Sequence, residues 1–317
     1  MNTQSSMAYH HTFGPAVDRI TSLGWGLGIV SLLVVLIVTA LLLIGIFRKR
    51  AASSQGLAVR SDSGGVSWIY IGTAISTVVL VGCMLWTMLV TAAVARPPRT
   101  PALTIQVTAS QFWWSVRYPG ATTARTFVTA NEIHIPVGEP VRVELSSADV
   151  IHSFWVPQLA GKMDVIPGQT NVSWLEADSP GSYRGQCAAF CGAQHAHMAL
   201  LVVAESAAAF AAWQDRQLAE AAPPPSGNAT LGEHVFETHC APCHTVRGVT
   251  PAGIRGPDLS HLMTRRTIAA ALLPNKPGNL AAWIANPQSF KPGARMPAQI
   301  LSGAQLAAVT SYLNTLD

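Results

Sequence analysis

Apolar positions along this chain follow three successive rhythms, and each predicts a different kind of structure. Residues 24–47 and 66–95 are uninterrupted apolar runs without a single charged side chain. As α-helices rising about 1.5 Å per residue, both are long enough to cross a hydrocarbon core about 30 Å thick. Beyond Ala95 no apolar run reaches the roughly 18 residues expected of a span, so the remainder is predicted to be soluble. From Leu103 to Ala204 apolar residues alternate instead, as in Leu103, Ile105 and Val107, then Val141, Val143 and Leu145, then Val172 and Trp174. Alternation of period two marks half-buried strands, and Pro136-Val137-Gly138 and Pro167-Gly168 supply turns. With no useful helical period in the stretch, a small antiparallel sandwich or barrel is predicted.

The third rhythm is helical. An alanine-rich stretch, residues 205–222, predicts a short helix, and Pro223-Pro224-Pro225-Ser226-Gly227 reads as a semi-rigid linker. Beyond it Leu231, Val235 and Phe236 share one helical face, and Leu306, Val309, Leu313 and Leu316 share another near the end. The roughly 90 residues there suffice for a compact helical domain. The expected organisation is therefore an N-terminal segment and transmembrane hairpin over 1–99, a β domain over 100–204, a helix and linker over 205–229, and a helical domain over 230–317.

Charge orients the hairpin. The first run is too long for a signal peptide, lacks a basic n-region because Asp18 and Arg19 cancel, and has no small-residue cleavage site after it. It ends in Arg48-Lys49-Arg50, and with Arg60 these outweigh Asp62 in a short loop, which predicts a cytoplasmic loop and both termini outside. Arg96 and Arg99 compete weakly on the far side.

Of the five cysteines, Cys83 falls in the second span and the others form two close pairs. Around Cys187 and Cys191 stand His195 and Met198, and a further histidine, His152, lies upstream. Thiolate, imidazole and thioether together select copper over magnesium or calcium. A mononuclear blue-copper site needs one cysteine, whereas two cysteines four apart can bridge two metals. A disulfide would leave His195 and Met198 unexplained, and methionine is a poor zinc ligand. The second pair, Cys240-Ala241-Pro242-Cys243-His244, is the C-x-x-C-H attachment pattern for c-type haem. A thioredoxin-like reading would need a βαβ context that is not seen here. The sixth iron ligand must come from downstream: Met296 in Lys291-Pro292-Gly293-Ala294-Arg295-Met296-Pro297 is the candidate, with Met263 as competitor.

The pattern H…C-x3-C-x3-H-x2-M, with Asn131-Glu132-Ile133-His134-Ile135-Pro136 and Asp164-Val165-Ile166-Pro167-Gly168, resembles the binuclear copper (CuA) domain of cytochrome c oxidase subunit II. The resemblance implies a multidomain membrane protein made of a two-helix transmembrane hairpin, an all-β cupredoxin-like barrel and an all-α class I cytochrome c domain. It implies that Cys187 and Cys191 bridge both coppers. His152 and Met198 would complete one copper, and His195 with the backbone carbonyl of Ala189 the other. Gln111-Phe112-Trp113-Trp114 resembles the family's patch for incoming electrons, with Phe112 where the family has tryptophan. Ala189 replaces a glutamate that also helps hold magnesium, and no glutamate stands near the start of the second span, where many members carry one at a proton pathway. Residues 230–317 resemble class I cytochrome c, with Gly232, Phe236 and Tyr312 where the family's helices cross. There Cys240 and Cys243 would bind one haem c covalently, with His244 and Met296 as axial ligands.

The function implied is subunit II of a respiratory haem-copper oxidase, passing electrons from a donor through haem c and CuA to haem in a separate catalytic subunit. The expected partners are subunit I, subunit III, cytochrome c or another donor, and the lipid bilayer, with no nucleic acid. The expected location is a bacterial inner membrane with the soluble domains outside. A nitric oxide reductase subunit with the same copper domain and a stand-alone tethered electron carrier are the alternatives. Residues 101–204 carry five basic against seven acidic side chains, a net of −2, and residues 230–317 carry seven against four, a net of +3. Such opposition predicts transient, salt-sensitive docking of the two soluble domains, unless the charges share no face.

Overall fold

A computed structural model of the chain describes residues 7–8, 11–48, 64–225, 227–249, 253 and 255–317. The chain divides into two compact units, residues 18–96 and residues 1–17 with 97–317. The first unit is the membrane hairpin. Helices α1 (Pro15–Phe47) and α2 (Gly64–Val94) run 33 and 31 residues. Helix α1 begins nine residues before the apolar run, because Pro15 is tolerated in a first turn and Asp18 complements the helix dipole there. Hydroxyls within the spans bond back to the carbonyl four residues earlier, Ser31 Oγ to Leu27 O at 2.9 Å and Thr87 Oγ1 to Cys83 O at 2.8 Å, which satisfies them without water. Lys49, Arg50, Arg60 and Asp62, on which the cytoplasmic-loop expectation rests, lie outside the described residues.

In the second unit the alternating stretch folds as ten strands: β1 (Leu103–Ser110), β2 (Trp113–Tyr118), β3 (Phe127–Ala130), β4 (Glu132–Pro136), β5 (Val141–Ser147), β6 (His152–Trp155), β7 (Met163–Val165), β8 (Asn171–Leu175), β9 (Gly181–Cys187) and β10 (Ala199–Glu205). They form two five-stranded sheets, β3-β2-β1-β5-β8 and β4-β10-β9-β6-β7. Ile105, Val107 and Ala109 of β1 and Val141, Val143 and Leu145 of β5 are all buried, as their alternation requires. The sheets are not purely antiparallel as expected, since β1 pairs with β5 and β4 with β10 in parallel. Alternation reports which face of a strand is buried and is blind to strand direction, so only the fold could reveal this.

Two segments assigned elsewhere by sequence belong to the sandwich. Before α1, the Phe13 N–H donates to Gln158 O at 2.9 Å and the Phe13 carbonyl accepts from Asp178 N at 2.8 Å. The segment before α1 is thus strapped to the sandwich. Helix α3 (Ala207–Leu218), capped by Ser206, buries Phe210, Trp213 and Gln217. The Trp213 ring stacks on His134 with centroids 4.1 Å apart, so this helix is part of the β domain's packing and not a spacer.

Beyond the prolines come α4 (Asn228–His239), β11 (Thr267–Ile268), β12 (Leu273–Pro274), α5 (Pro277–Ala285), α6 (Pro287–Phe290) and α7 (Gly303–Leu313). Among the described residues the domain has no strands apart from the small β11–β12 pair. Helix α4 crosses α7 at Gly232, where a Cβ would collide with the Ala308 carbonyl, and Phe236 meets Tyr312 with ring centroids 5.6 Å apart.

The sandwich and the helical domain pack into one body, joined largely by hydrogen bonds to backbone atoms. Arg247 Nη2 donates to Thr126 O at 2.9 Å, Arg184 Nη1 to Ala271 O at 3.2 Å, and the Arg266 N–H to Glu132 Oε2 at 3.0 Å. Arg295 and Asp149 form an ion pair across the boundary at 3.0 Å. The two domains are thus joined at specific side-chain contacts, one of them a charge pair.

Gly232→Val should destabilise the helical domain by about 1–3 kcal/mol or more, because the added side chain meets backbone that cannot yield. Denaturant unfolding followed through haem-domain absorbance checks this, and an unchanged midpoint would contradict the close crossing.

Candidate metal and haem centres

The first site grows from one hairpin. Strands β9 and β10 are antiparallel neighbours, and the Cys187 N–H closes onto Met198 O at 2.9 Å, so the chain between them must loop out. Cys187 ends β9, Cys191 and the 3₁₀ turn His195–His197 occupy the loop, and Met198 leads into β10. Strand β6 lies beside β9, pairing Phe154 with Cys187, and brings His152 to the same place. The Sγ atoms of Cys187 and Cys191 stand 3.9 Å apart. Cys187 Sγ is 3.9 Å from His152 Nδ1 and 3.2 Å from Ala189 O, while Cys191 Sγ is 3.7 Å from His195 Nδ1 and 3.8 Å from Met198 Sδ. All six sequence-predicted groups thus converge.

A sulfur separation of 3.9 Å is far beyond a disulfide bond of about 2.05 Å. The hydrogen bond between the thiols pulls Cys187 down to about 3 and pushes Cys191 up, because the pair shares one proton. Two cysteine sulfurs, two imidazoles, a thioether and a carbonyl in a pocket that buries Cys187, Cys191, Met198 and His152 make a soft donor set that fits copper. His152 is aimed by Asp149, whose Oδ1 accepts from Nε2 at 2.8 Å. Burial opposes charge on His152, yet its bonds to Cys187 and Asp149 raise its pKa overall. For Asp149, burial acts upward, and hydrogen bonds from His152 and the Gln111 and Val150 amides outweigh it and hold the carboxyl below its usual range. Asp149 was missed by sequence reading; an aspartate three residues before a ligand histidine was the available signal.

The second site opens where α4 ends. Cys240, Cys243 and His244 line a cavity of about 840 Å³ together with Phe236, Trp283 and Met296. His244 Nδ1 lies 2.7 Å from the Pro257 carbonyl, an obligate acceptor, so Nδ1 carries the proton and Nε2 keeps its lone pair. Burial holds the His244 pKa down and favours that neutral form. Arg265, also on the cavity wall, is buried with Nε lacking a hydrogen-bond partner among the described residues, which suits an anionic group such as a haem carboxylate. Met296 reaches the cavity, whereas Met263 is partly buried against the helical core with its N–H on Leu316 O.

The cavity's far wall belongs to the β domain and includes Gln111, Phe112 and Trp113. Trp114 is fully buried and packs on Phe154, with its ring 6.2 Å from His152. Of the aromatic patch, Phe112 and Trp113 line the haem cavity, Phe112 while also buried in the sandwich core, and Trp114 lies wholly in that core. His134, held by Glu205 at 2.7 Å and Glu132 at 3.2 Å, is a buried structural residue, and His197 bonds Gln194 at 2.7 Å.

A sandwich with a Cys-Cys-His-His-Met cluster, joined to a helical domain with a C-x-x-C-H cavity, defines a protein whose soluble domains are suited to hold copper and haem c. Residues 120–206 match the family model of the periplasmic domain of cytochrome c oxidase subunit II, and residues 229–317 match cytochrome c. The chain is 42% identical over 214 residues to cytochrome c oxidase subunit 2 of Alkalihalophilus pseudofirmus, covering 67% of this chain and 60% of that one. It is 32% identical over 227 residues to cytochrome c oxidase subunit 2 of Bacillus subtilis, covering 68% and 62%. The crystal structure of the periplasmic domain of subunit II of cytochrome oxidase from Bradyrhizobium japonicum is 32% identical, with a TM-score of 0.35, covering 38% of this chain and 95% of that one. The matches span about 60% of the length of the curated relatives. The chain belongs to the cytochrome c oxidase subunit II family, with a cytochrome c domain following the copper domain. It is a membrane protein with an extracellular soluble region, and its two soluble domains imply copper and haem c.

Asp149→Asn should weaken copper binding about 10- to 100-fold, because the outer partner of a ligating imidazole sets its orientation and basicity. Competition with a copper chelator measures it, and unchanged affinity would remove Asp149 from the site.

Proposed function

We propose that this chain is the electron-transfer subunit of a respiratory haem-copper oxidase, carrying electrons from a donor to haem c, then to a binuclear CuA centre, and on to haem in subunit I, where oxygen is reduced to water. The observation that carries this reading is the shared wall: Phe112 and Trp113 of the copper domain line the cavity of the haem domain. Two one-electron centres so placed fit a relay.

In this reading Cys187, Cys191, His152, Met198, His195 and the Ala189 carbonyl would hold the copper pair. Cys240 and Cys243 would hold haem c covalently, and His244 and Met296 would be its iron ligands. When bound, copper and haem supply one-electron redox chemistry without bond making. The chain's own residues orient these groups and keep water from them. Asp149 fixes one imidazole, Pro257 fixes another, and the buried aromatic side chains exclude solvent. Phe112 and Trp113, from the patch where family members receive electrons, line the cavity of the chain's own haem domain, so a donor delivers to the haem side first. The partners are subunit I, subunit III, cytochrome c or another donor and the bilayer. The membrane is the bacterial inner membrane, with both termini on its outer face.

Copurification with a haem-copper subunit followed by oxygen and nitric oxide uptake tests the assignment. Oxygen uptake supports it, uptake of nitric oxide alone identifies a reductase, and purification without a haem-bearing partner indicates a free carrier. At the copper site, electron paramagnetic resonance should give seven evenly spaced hyperfine lines that vanish in Cys187→Ser or Cys191→Ser; four lines at full copper loading would indicate a single-copper centre. Met296→His should retain covalent haem and lower its potential, because thioether ligation stabilises the reduced iron. Loss of the sulfur-to-iron absorption band in Met263→Leu instead would reassign the ligand.

A further inference from the structure

Lys291 begins the loop that reaches Met296, and its ammonium group is buried, with the residue only 3% exposed. Instead of meeting a carboxylate it donates to two backbone carbonyls, Phe112 O at 2.7 Å and Ala269 O at 3.1 Å. The first belongs to the copper domain and the second to the haem domain. Desolvation pushes its pKa down to about 7. A buried cation of this kind is expensive to place and persists where its bonds are satisfied.

Both acceptors sit in specialised surroundings. Phe112 follows Gln111, whose Nε2 donates to the Cys191 carbonyl at 2.6 Å. Ala269, Ala270 and Ala271 have φ values of 55°, 60° and 58°, a left-handed run that L-residues avoid. Each of their carbonyls is taken: Ala269 O by Lys291, Ala270 O by the Ala199 N–H at 3.2 Å, and Ala271 O by Arg184 at 3.2 Å. The Lys291–Met296 segment is pinned at two further points, Pro292 O by Gln194 Nε2 at 2.8 Å and Arg295 by Asp149. Asp149 in turn holds His152.

We propose that Lys291 is a positioning residue for electron transfer between the two centres, clamping the Met296 loop and the Ala269–271 turn onto the Gln111–Phe112 segment that contacts Cys191. This rests on the ligand assignments proposed above for Met296 and Cys191. With both groups bound, the step it serves would move one electron from the haem iron to the copper, and no bond or proton would move at Lys291. Its role is geometric, keeping the separation fixed where tunnelling depends steeply on distance.

The test uses the full chain in detergent, carrying copper and haem. In Lys291→Met, amide hydrogen exchange at residues 269–271 and 291–296 should quicken by about tenfold, the effect of removing one charge-assisted hydrogen bond. Flash-reduced haem-to-copper transfer should be independent of salt in the wild type. In the variant it should slow by about tenfold and become salt-dependent, because the Arg295–Asp149 pair, exposed at its Arg295 end, then carries more of the hold on the loop. Haem and copper absorption spectra should be unchanged, and Lys291→Arg, which keeps the charge and donors, should restore protection. If Lys291→Met does not attach haem, Lys291→Gln carries both measurements. A fully loaded variant with wild-type exchange and wild-type transfer overturns the proposal. A wild-type chain that shows no haem-to-copper transfer overturns the functional reading instead.

Discussion

Two thiols held 3.9 Å apart in a dry pocket cannot both ionise without a cation to share, and the architecture of the copper domain follows from that constraint. The sulfurs must be brought together by backbone that is itself rigid. The β9–β10 hairpin does this by placing Cys187 and Met198 on paired strands, while the intervening loop carries Cys191 and His195 back over them. The neighbouring strand β6 adds His152, already aimed by Asp149. Because the donors come from strand ends and one short loop, the pocket needs little rearrangement to receive a soft metal.

The haem cavity obeys a different rule. Its floor is helical, built around the α4–α7 crossing, but one wall is supplied by the β domain. A helical domain of this size has little surface to spare for enclosing a large group, and the neighbour's aromatic residues complete the enclosure. The same contact turns two separate sites into a pair with a fixed separation. Its bonds fall mainly on backbone carbonyls, which salt does not screen as it screens exposed charges.

What the sequence by itself determined is whatever depends on local spacing. The two membrane spans, the strand alternation through Val141, Val143 and Leu145, the C-x3-C-x3-H-x2-M cluster and the C-x-x-C-H motif were all legible, because residues that act together there are neighbours along the chain. His152 could be grouped with the cluster through family resemblance, although 35 residues separate it from Cys187. What only the tertiary structure decided is whatever depends on contacts between distant segments: the parallel pairing of β1 with β5, the strap formed by Phe13, the helix α3 packed on His134, and Trp114 in the core while Phe112 and Trp113 face the haem cavity. Lys291 shows the limit most clearly. In the chain it counts as one more positive charge, and only folding, which places it against Phe112 across 179 residues, makes it a buried clamp. Net charge sums over a domain without regard to position, whereas the strength and salt-sensitivity of a contact are set by burial and by the particular acceptor each donor meets.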